Sequence, residues 1–205
     1  MNLRGLYFIT DRKLSKKSVE STVEDAVKGG VKVVQYREKE LPAGEMLRVA
    51  ENLRDITREA GVLFLVNDRV DIALAVGADG VHLGQDDMPI EIARRLLGRE
   101  SVIGVTVHNV REARDAERRG ADYLGMSPVF STSTKSDAGE PAGVELIREV
   151  KKVVAVPCVA IGGIIMENLQ EVIDAGADSV AMISAILSQE DISEAVRKVN
   201  QRFGL

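Results

Sequence analysis

The chain has 205 residues, enough for one domain with a substantial core. Charged residues make up 29%, the apolar class 45%, and the net charge is −5, which fits a globular protein and argues against general affinity for nucleic acid. Three tyrosines, four phenylalanines and no tryptophan also argue against a base-stacking surface. The single cysteine, Cys158, lies in an apolar run and reads as a buried, inert thiol, consistent with a reducing compartment. No apolar run approaches the ~20 residues that span a membrane, and no signal-type segment opens the chain. A cytoplasmic protein with no membrane partner is expected. The oligomeric state is left open, a homo-oligomer included.

In chain order, eight apolar runs read as strands, near 5–10, 31–36, 62–66, 80–84, 101–107, 122–130, 156–161 and 178–183. Amphipathic segments lie between them. Met46, Val49, Ala50, Leu53 and Ile56 follow helical spacing, as do Val144, Ile147, Val150 and Val154, then Leu169, Val172 and Ile173, and a last segment from Ile192 to Phe203. The tripeptide Gly-Ala-Asp recurs at 77–79, 120–122 and 176–178, each time before a strand. Glycine tolerates the left-handed conformation at a helix C-terminus, so these read as structural turns on the face away from chemistry. Strict strand–helix alternation predicts a parallel sheet, and eight units favour a closed (β/α)8 TIM barrel over an open sheet. The expected organisation is a single catalytic barrel domain over residues 1–205.

Function in such sheets sits at the carboxyl ends of the strands. The run Val62–Val66 ends in Asn67-Asp68, and the fourth strand ends in Gly84-Gln85-Asp86-Asp87. Asp68 and Asp87 close neighbouring strands, where two carboxylates can share one hard cation such as Mg2+. Either one could instead cap the following helix. His82, with no Cys or His near it in sequence, is weak as a metal ligand. Arg37 and Lys39 alternate on one face after the second strand and suit a diphosphate, or form an ordinary charged run. The stretch Ser131-Thr132-Ser133-Thr134-Lys135-Ser136 is hydroxyl-rich and basic, either a solvated turn or a cover over an anion. Gly162-Gly163 and Ile183-Ser184 end the seventh and eighth strands, a common phosphate position in barrels. Thr106 ends the fifth strand with a hydroxyl. His108 follows as a supporting group or a surface residue. Paired anion sites without a Ser-His-Asp set or a reactive cysteine suit a transferase joining two phosphorylated molecules.

The motifs Tyr7-Phe8-Ile9-Thr10-Asp11, Gln35–Lys39, Val66–Asp71, Val81–Asp87, Thr132–Lys135, Ala160–Ile164 and Met182–Ser184 run through nearly the whole chain. In this order they resemble the thiamine-phosphate synthase (thiamine-phosphate pyrophosphorylase) family. The resemblance implies condensation of 4-amino-2-methyl-5-(diphosphooxymethyl)pyrimidine with a (carboxy)thiazole phosphate, giving thiamine phosphate and diphosphate by a Mg2+-assisted dissociative route. It places Gln35, Tyr36, Arg37, Glu38, Lys39 and Asn67 at the pyrimidine diphosphate and Asp68 and Asp87 at the metal. Thr132, Ser133, Thr134, Gly163, Ile183 and Ser184 fall at the thiazole phosphate and Lys135 at the diphosphate. Arg37, Lys39, Lys135 and Thr106 are the implied catalytic set, with Thr106 where serine is usual and Ser131 where proline is frequent. The alternatives are a thiazole tautomerase-like isomerase and a non-catalytic phosphate-binding regulator. The first is disfavoured because Met126-Ser127-Pro128-Val129-Phe130 carries no histidine. The second has no need of both aspartates and Lys135.

Overall fold

Alternation along each strand divides the molecule into two apolar layers. In the first strand, β1 (Gly5–Ile9), Tyr7 and Ile9 join an inner cluster with Val33, Leu65, Tyr123, Val159 and Ala181. Leu6 and Phe8 face the other way, into a larger outer cluster shared with the helices. A computed structural model describes residues 3–132 and 139–205 of this arrangement. The remaining strands are β2 (Val33–Tyr36), β3 (Leu63–Asn67), β4 (Gly80–Leu83), β5 (Val102–Val107), β6 (Tyr123–Met126), β7 (Cys158–Ile161) and β8 (Ser179–Ala181). Each pairs in parallel with its neighbours in sequence order, and β8 closes on β1 through Gly5 opposite Ser179 and Leu6 opposite Val180. The fold is a single-domain (β/α)8 TIM barrel, as the alternation predicts.

Helices α1 (Val19–Lys28), α2 (Ala43–Glu59), α3 (Val70–Val76), α4 (Ile90–Leu97), α5 (Val110–Arg118), α6 (Gly143–Lys151) and α7 (Leu169–Asp174) follow strands one to seven. After β8 come two, α8 (Ile183–Leu187) and α9 (Ile192–Arg202). The periodic apolar residues of α2 bury Met46, Val49, Ala50 and Leu53, and those of α6 bury Val144, Ile147 and Val150. No helix among the described residues is long and apolar enough to cross a membrane. Two strands end two or more residues short of the expected carboxyl end. The sixth strand stops at Met126 because Pro128 has no N–H for the ladder. The eighth stops at Ala181, so Ile183 and Ser184 form the first turn of α8 rather than a strand end.

The Gly-Ala-Asp repeat carries more than a turn. Gly77, Gly120 and Gly176 all have positive φ. The aspartate that follows each then reaches back to the preceding strand. Asp79 accepts the Phe64 amide at 2.7 Å, Asp122 that of Ile103 at 2.7 Å and Asp178 that of Cys158 at 2.7 Å. Each carboxylate also meets a cation from a helix: Arg54 at 2.9 Å, Arg94 at 2.6 Å and Lys151 at 2.7 Å respectively. Three strand starts at the amino-terminal end of the barrel are thus pinned alike. At the seam, Asn200 of α9 accepts the Leu6 amide at 2.9 Å and donates to the Gly30 carbonyl at 3.2 Å. A Cβ on Gly5 would lie 2.5 Å from Asn200 Oδ1, so the close approach requires glycine there.

Asp79→Ala should leave the Phe64 amide and the Arg54 guanidinium without this partner, costing about 2 kcal/mol. In a domain of this size that lowers Tm by roughly 4–8 °C. The melting temperature checks it, and a kcat unchanged in the folded fraction would agree with a stabilising role at the end away from the mouth.

Candidate active site

At the carboxyl ends of the strands the barrel opens into a cavity of about 310 Å3. Its wall includes Gln35, Arg37 and Lys39 after β2, Asn67 and Asp68 at β3, Asp86 and Asp87 after β4, Thr106 at β5, Thr132 after β6, Gly163 after β7, and Ile183 and Ser184 after β8. Residues expected at a shared mouth therefore do share one. Ile9, Ile161, Ile164, Ile165 and Met182 give the cavity an apolar flank that the motif reading passed over. Ser133, Thr134 and Lys135 lie outside the described residues.

Two expected contacts are placed elsewhere. Tyr36 points outward, because alternation puts Gln35 inside and its neighbour among the helices. It is 1% exposed in the outer cluster, and its hydroxyl has no hydrogen-bond partner among the described residues. Burial, with the charges of Glu38 and Glu20, pushes that hydroxyl above the usual tyrosine range. Glu38 turns back into its own loop. It accepts the amides of Lys39 at 2.8 Å, Glu40 at 2.8 Å and Leu41 at 3.3 Å, and the Arg12 guanidinium at 3.1 Å. Burial works to raise its pKa, but these donors outweigh it and hold the carboxyl below the usual range. Glu38 thus shapes the loop that presents Arg37 and Lys39. Thr10 assists, its hydroxyl accepting the Arg37 amide at 3.0 Å.

Asp68 is the one non-glycine residue with positive φ among those described, at 58°. Aspartate tolerates this conformation better than most residues, yet it stores strain of ~1 kcal/mol or more. The Asp68 amide donates to the His82 carbonyl at 2.8 Å, extending the β3–β4 pairing and holding the bend. The bend brings the Asp68 carboxylate to the Asp87 carboxylate and to Lys39 Nζ. Asp87 also accepts the Gly84 amide at 2.7 Å. Burial first, then the neighbouring Asp68, pushes Asp87 above the ordinary carboxylate range, against the Gly84 amide and Lys39. Neither aspartate caps a helix: α3 follows Arg69 and α4 follows Pro89, with no side-chain capping bond at either. Two neighbouring carboxylates on the wall of an open cavity, with Lys39 and Arg37 on the same wall, fit a hard divalent cation, which takes one or two carboxylates and fills its remaining positions with water or phosphate oxygens. Among the described residues no group of three or more His, Cys, Asp or Glu forms a closed metal cage.

Gln35, His82 and Thr106 on the cavity floor are joined beneath it by a line of buried polar side chains. Gln35 Nε2 donates to the Tyr7 hydroxyl at 2.7 Å, and the Tyr7 and Tyr123 hydroxyls are 2.7 Å apart. His82 Nδ1 meets the Tyr123 hydroxyl at 2.8 Å, and its Nε2 meets Thr106 Oγ1 at 2.8 Å. Gln85 fixes the same strand end by donating to the Thr106 carbonyl at 2.6 Å. Two glycines make room for the rings. A Cβ on Gly104 would lie 1.9 Å from Tyr123 Cζ, and one on Gly125 would lie 2.9 Å from His82 Cε1. His82 is thus a buried member of the floor. Its inward position in β4, level with Asn67, was a signal in the alternation. His108 lines the wall with Nδ1 2.5 Å from the Ser127 carbonyl oxygen.

The profile of the family described as thiamine monophosphate synthase matches residues 6–186. The chain belongs to this family. It is 50% identical over 195 residues to the thiamine-phosphate synthase of Chloroflexus aurantiacus, covering 95% of this chain and 90% of that one. It is 50% identical over 198 residues to that of Syntrophomonas wolfei, covering 96% and 95%. The thiamine phosphate pyrophosphorylase structure from Pyrococcus furiosus superposes with a TM-score of 0.91 at 43% identity, covering 99% and 96%. Family membership makes the chain an enzyme, a transferase of thiamine biosynthesis, acting on small molecules.

Gly163 has φ 62°, and a Cβ there would lie 2.4 Å from the Ser131 carbonyl oxygen and 2.7 Å from Phe130 Cβ. The crowding is against the chain leading into the hydroxyl-rich stretch, so this glycine serves close packing as well as lining the wall. Gly163→Ala should cost ~1–3 kcal/mol from overpacking and backbone strain. Denaturant titration checks it, and wild-type stability would mean that the Phe130–Ser131 backbone yields without cost.

Proposed function

We propose that this transferase couples 4-amino-2-methyl-5-(diphosphooxymethyl)pyrimidine to a (carboxy)thiazole phosphate, releasing diphosphate and forming thiamine phosphate. CO2 is a further product when the thiazole is carboxylated. The observation that carries this reading is the Lys39–Asp68 ion pair at one rim of the cavity, with Asp87 and Arg37 on the same wall. That rim matches a diphosphate with a divalent cation. The opposite rim, Gly163 and Ser184, is the place for the thiazole phosphate.

Asp68 and Asp87 would hold Mg2+, which would supply neutralising positive charge at the diphosphate when bound. Arg37 and Lys39 would meet the developing negative charge on the leaving diphosphate. From the family resemblance, Lys135 would add a third cation there. A pyrimidine methyl cation, stabilised by the ring amino group, is then open to the thiazole nitrogen. Asn67, Gln35 and Thr106 would orient the pyrimidine, and the isoleucines of the apolar flank would exclude water from the cation. Thr132, Ile183 and Ser184 would align the thiazole, with Ser133 and Thr134 assigned by the same resemblance. The protein needs no nucleophile of its own, because alignment of two rings and stabilisation of a leaving anion are the whole task. A cytoplasmic location, where both phosphorylated substrates would be available, fits this reading.

A coupled assay with both substrates and Mg2+ tests the proposal directly. Asp68→Asn should lower kcat/KM by roughly 100-fold, about 2.7 kcal/mol, with Tm nearly unchanged. Full activity in EDTA, in protein shown free of metal, would overturn the metal role. Lys135→Ala should lower kcat, because leaving-group charge grows toward the transition state. A normal kcat with a raised KM for the thiazole alone would move Lys135 to the other substrate.

A further inference from the structure

We propose that the Gln35 amide fixes the tautomer of the buried His82 and thereby makes the Thr106 hydroxyl a hydrogen-bond donor to the ligand. Tyr7, Tyr123 and His82 are then positioning residues. The argument is a proton count along four consecutive hydrogen bonds. Gln35 presents an N–H to the Tyr7 oxygen, so Tyr7 is free to spend its own proton on Tyr123. Tyr123, having accepted, donates to His82 Nδ1, which must then carry a lone pair. A neutral imidazole with an unprotonated Nδ1 has its proton on Nε2, and that proton goes to Thr106 Oγ1. The Thr106 proton is left for the cavity that Thr106 lines. Four bonds use four protons and none is short.

The count holds because both tyrosines stay phenols: Tyr7 and Tyr123 are 1% and 0% exposed, and burial drives both hydroxyls well above the usual range. A doubly protonated His82 would turn a donor toward Tyr123 and strand one buried hydroxyl proton without an acceptor. His108, the other of the two histidines in the chain, is fixed the opposite way. Its Nδ1 faces a carbonyl oxygen, which only accepts, so its proton lies on Nδ1.

The consequence for the ligand rests on the proposed function. Gln35 and Thr106 both line the cavity; with Gln35 Nε2 engaged by Tyr7, its carbonyl oxygen is left as an acceptor for a ligand while Thr106 offers a donor. The floor therefore selects a flat heterocycle with an N–H on one edge and a ring nitrogen lone pair on another. The two contact points are linked: reversing one reverses the other through the relay.

Protein carrying 15N-labelled histidine tests the relay with no substrate present. Long-range 15N–1H correlation should show one histidine protonated at Nε2 and one at Nδ1, with His108→Gln removing the second. Gln35→Glu supplies a group that only accepts, so every bond should reverse and His82 should move to the Nδ1–H form. In a Tyr123→Phe background the residue at 35 should no longer influence His82. An Nδ1–H form of His82 in the wild-type protein overturns the proposal, whether or not any variant folds. So does a tautomer unchanged between Gln and Glu at position 35 in folded protein. For the ligand, calorimetry with the pyrimidine diphosphate should give a roughly tenfold loss of affinity for Thr106→Val when residue 35 is Gln, and little loss when it is Glu. Equal losses overturn the link. Failure of the wild-type protein to bind the pyrimidine diphosphate overturns the proposed function and the ligand half with it, while the tautomer measurement tests the relay by itself.

Discussion

Tyr7 and Tyr123 meet hydroxyl to hydroxyl inside the barrel, 2.7 Å apart, from strands three places apart in the ring. A closed ring of eight strands leaves an interior that side chains must fill, and dry filling is normally apolar. Here the middle of the interior is filled by phenols and an imidazole. These can be buried only if each polar atom has a partner. That requirement fixes Gln35, His82 and Thr106 in turn, because each satisfies the next. The glycines at 104 and 125 follow from the same constraint, since the rings occupy the space that their side chains would need. The cavity floor is therefore tied by hydrogen bonds into the core beneath it. A site that must align two heterocycles gains from starting on such a base.

The two ends of the barrel use aspartate for opposite purposes. At the amino-terminal end, Asp79, Asp122 and Asp178 each take a strand amide and a helix cation, and every charge is matched. At the carboxyl end, Asp68 and Asp87 share one cavity wall, and burial with the neighbouring Asp68 raises Asp87. The first arrangement is stable by itself. The second holds like charges together and accepts a left-handed residue to do so, the kind of local strain that persists where a ligand relieves it. Parallel pairing around a closed ring is what separates the two ends so cleanly: every strand starts at one and finishes at the other.

Much of this was legible in the chain. Apolar runs alternating with amphipathic segments specify strands and helices because burial selects period 2 or 3.6, and eight repeats close a barrel. The abrupt polar ends of those runs, at Arg37, Asn67, Asp68, Asp87 and Thr106, marked the mouth because all parallel strands finish on one side. What the chain alone did not reveal depends on direction and distance. Tyr36 and Gln35 are adjacent letters in one motif, yet the pleat sends one to the cavity and the other to the helices. Glu38 falls within the motif implied to bind the diphosphate but folds onto its own loop amides. Gly163 reads as room for an anion, whereas the nearest atoms belong to Phe130 and Ser131. The relay from Gln35 to Thr106 joins five residues separated by up to 116 positions between bonded partners. No local pattern encodes such a line. Sequence periodicity determined the elements, their order and which ends carry chemistry. Only closure of the barrel decided which side chains meet, because hydrogen bonds act over ångströms in space and not along the chain.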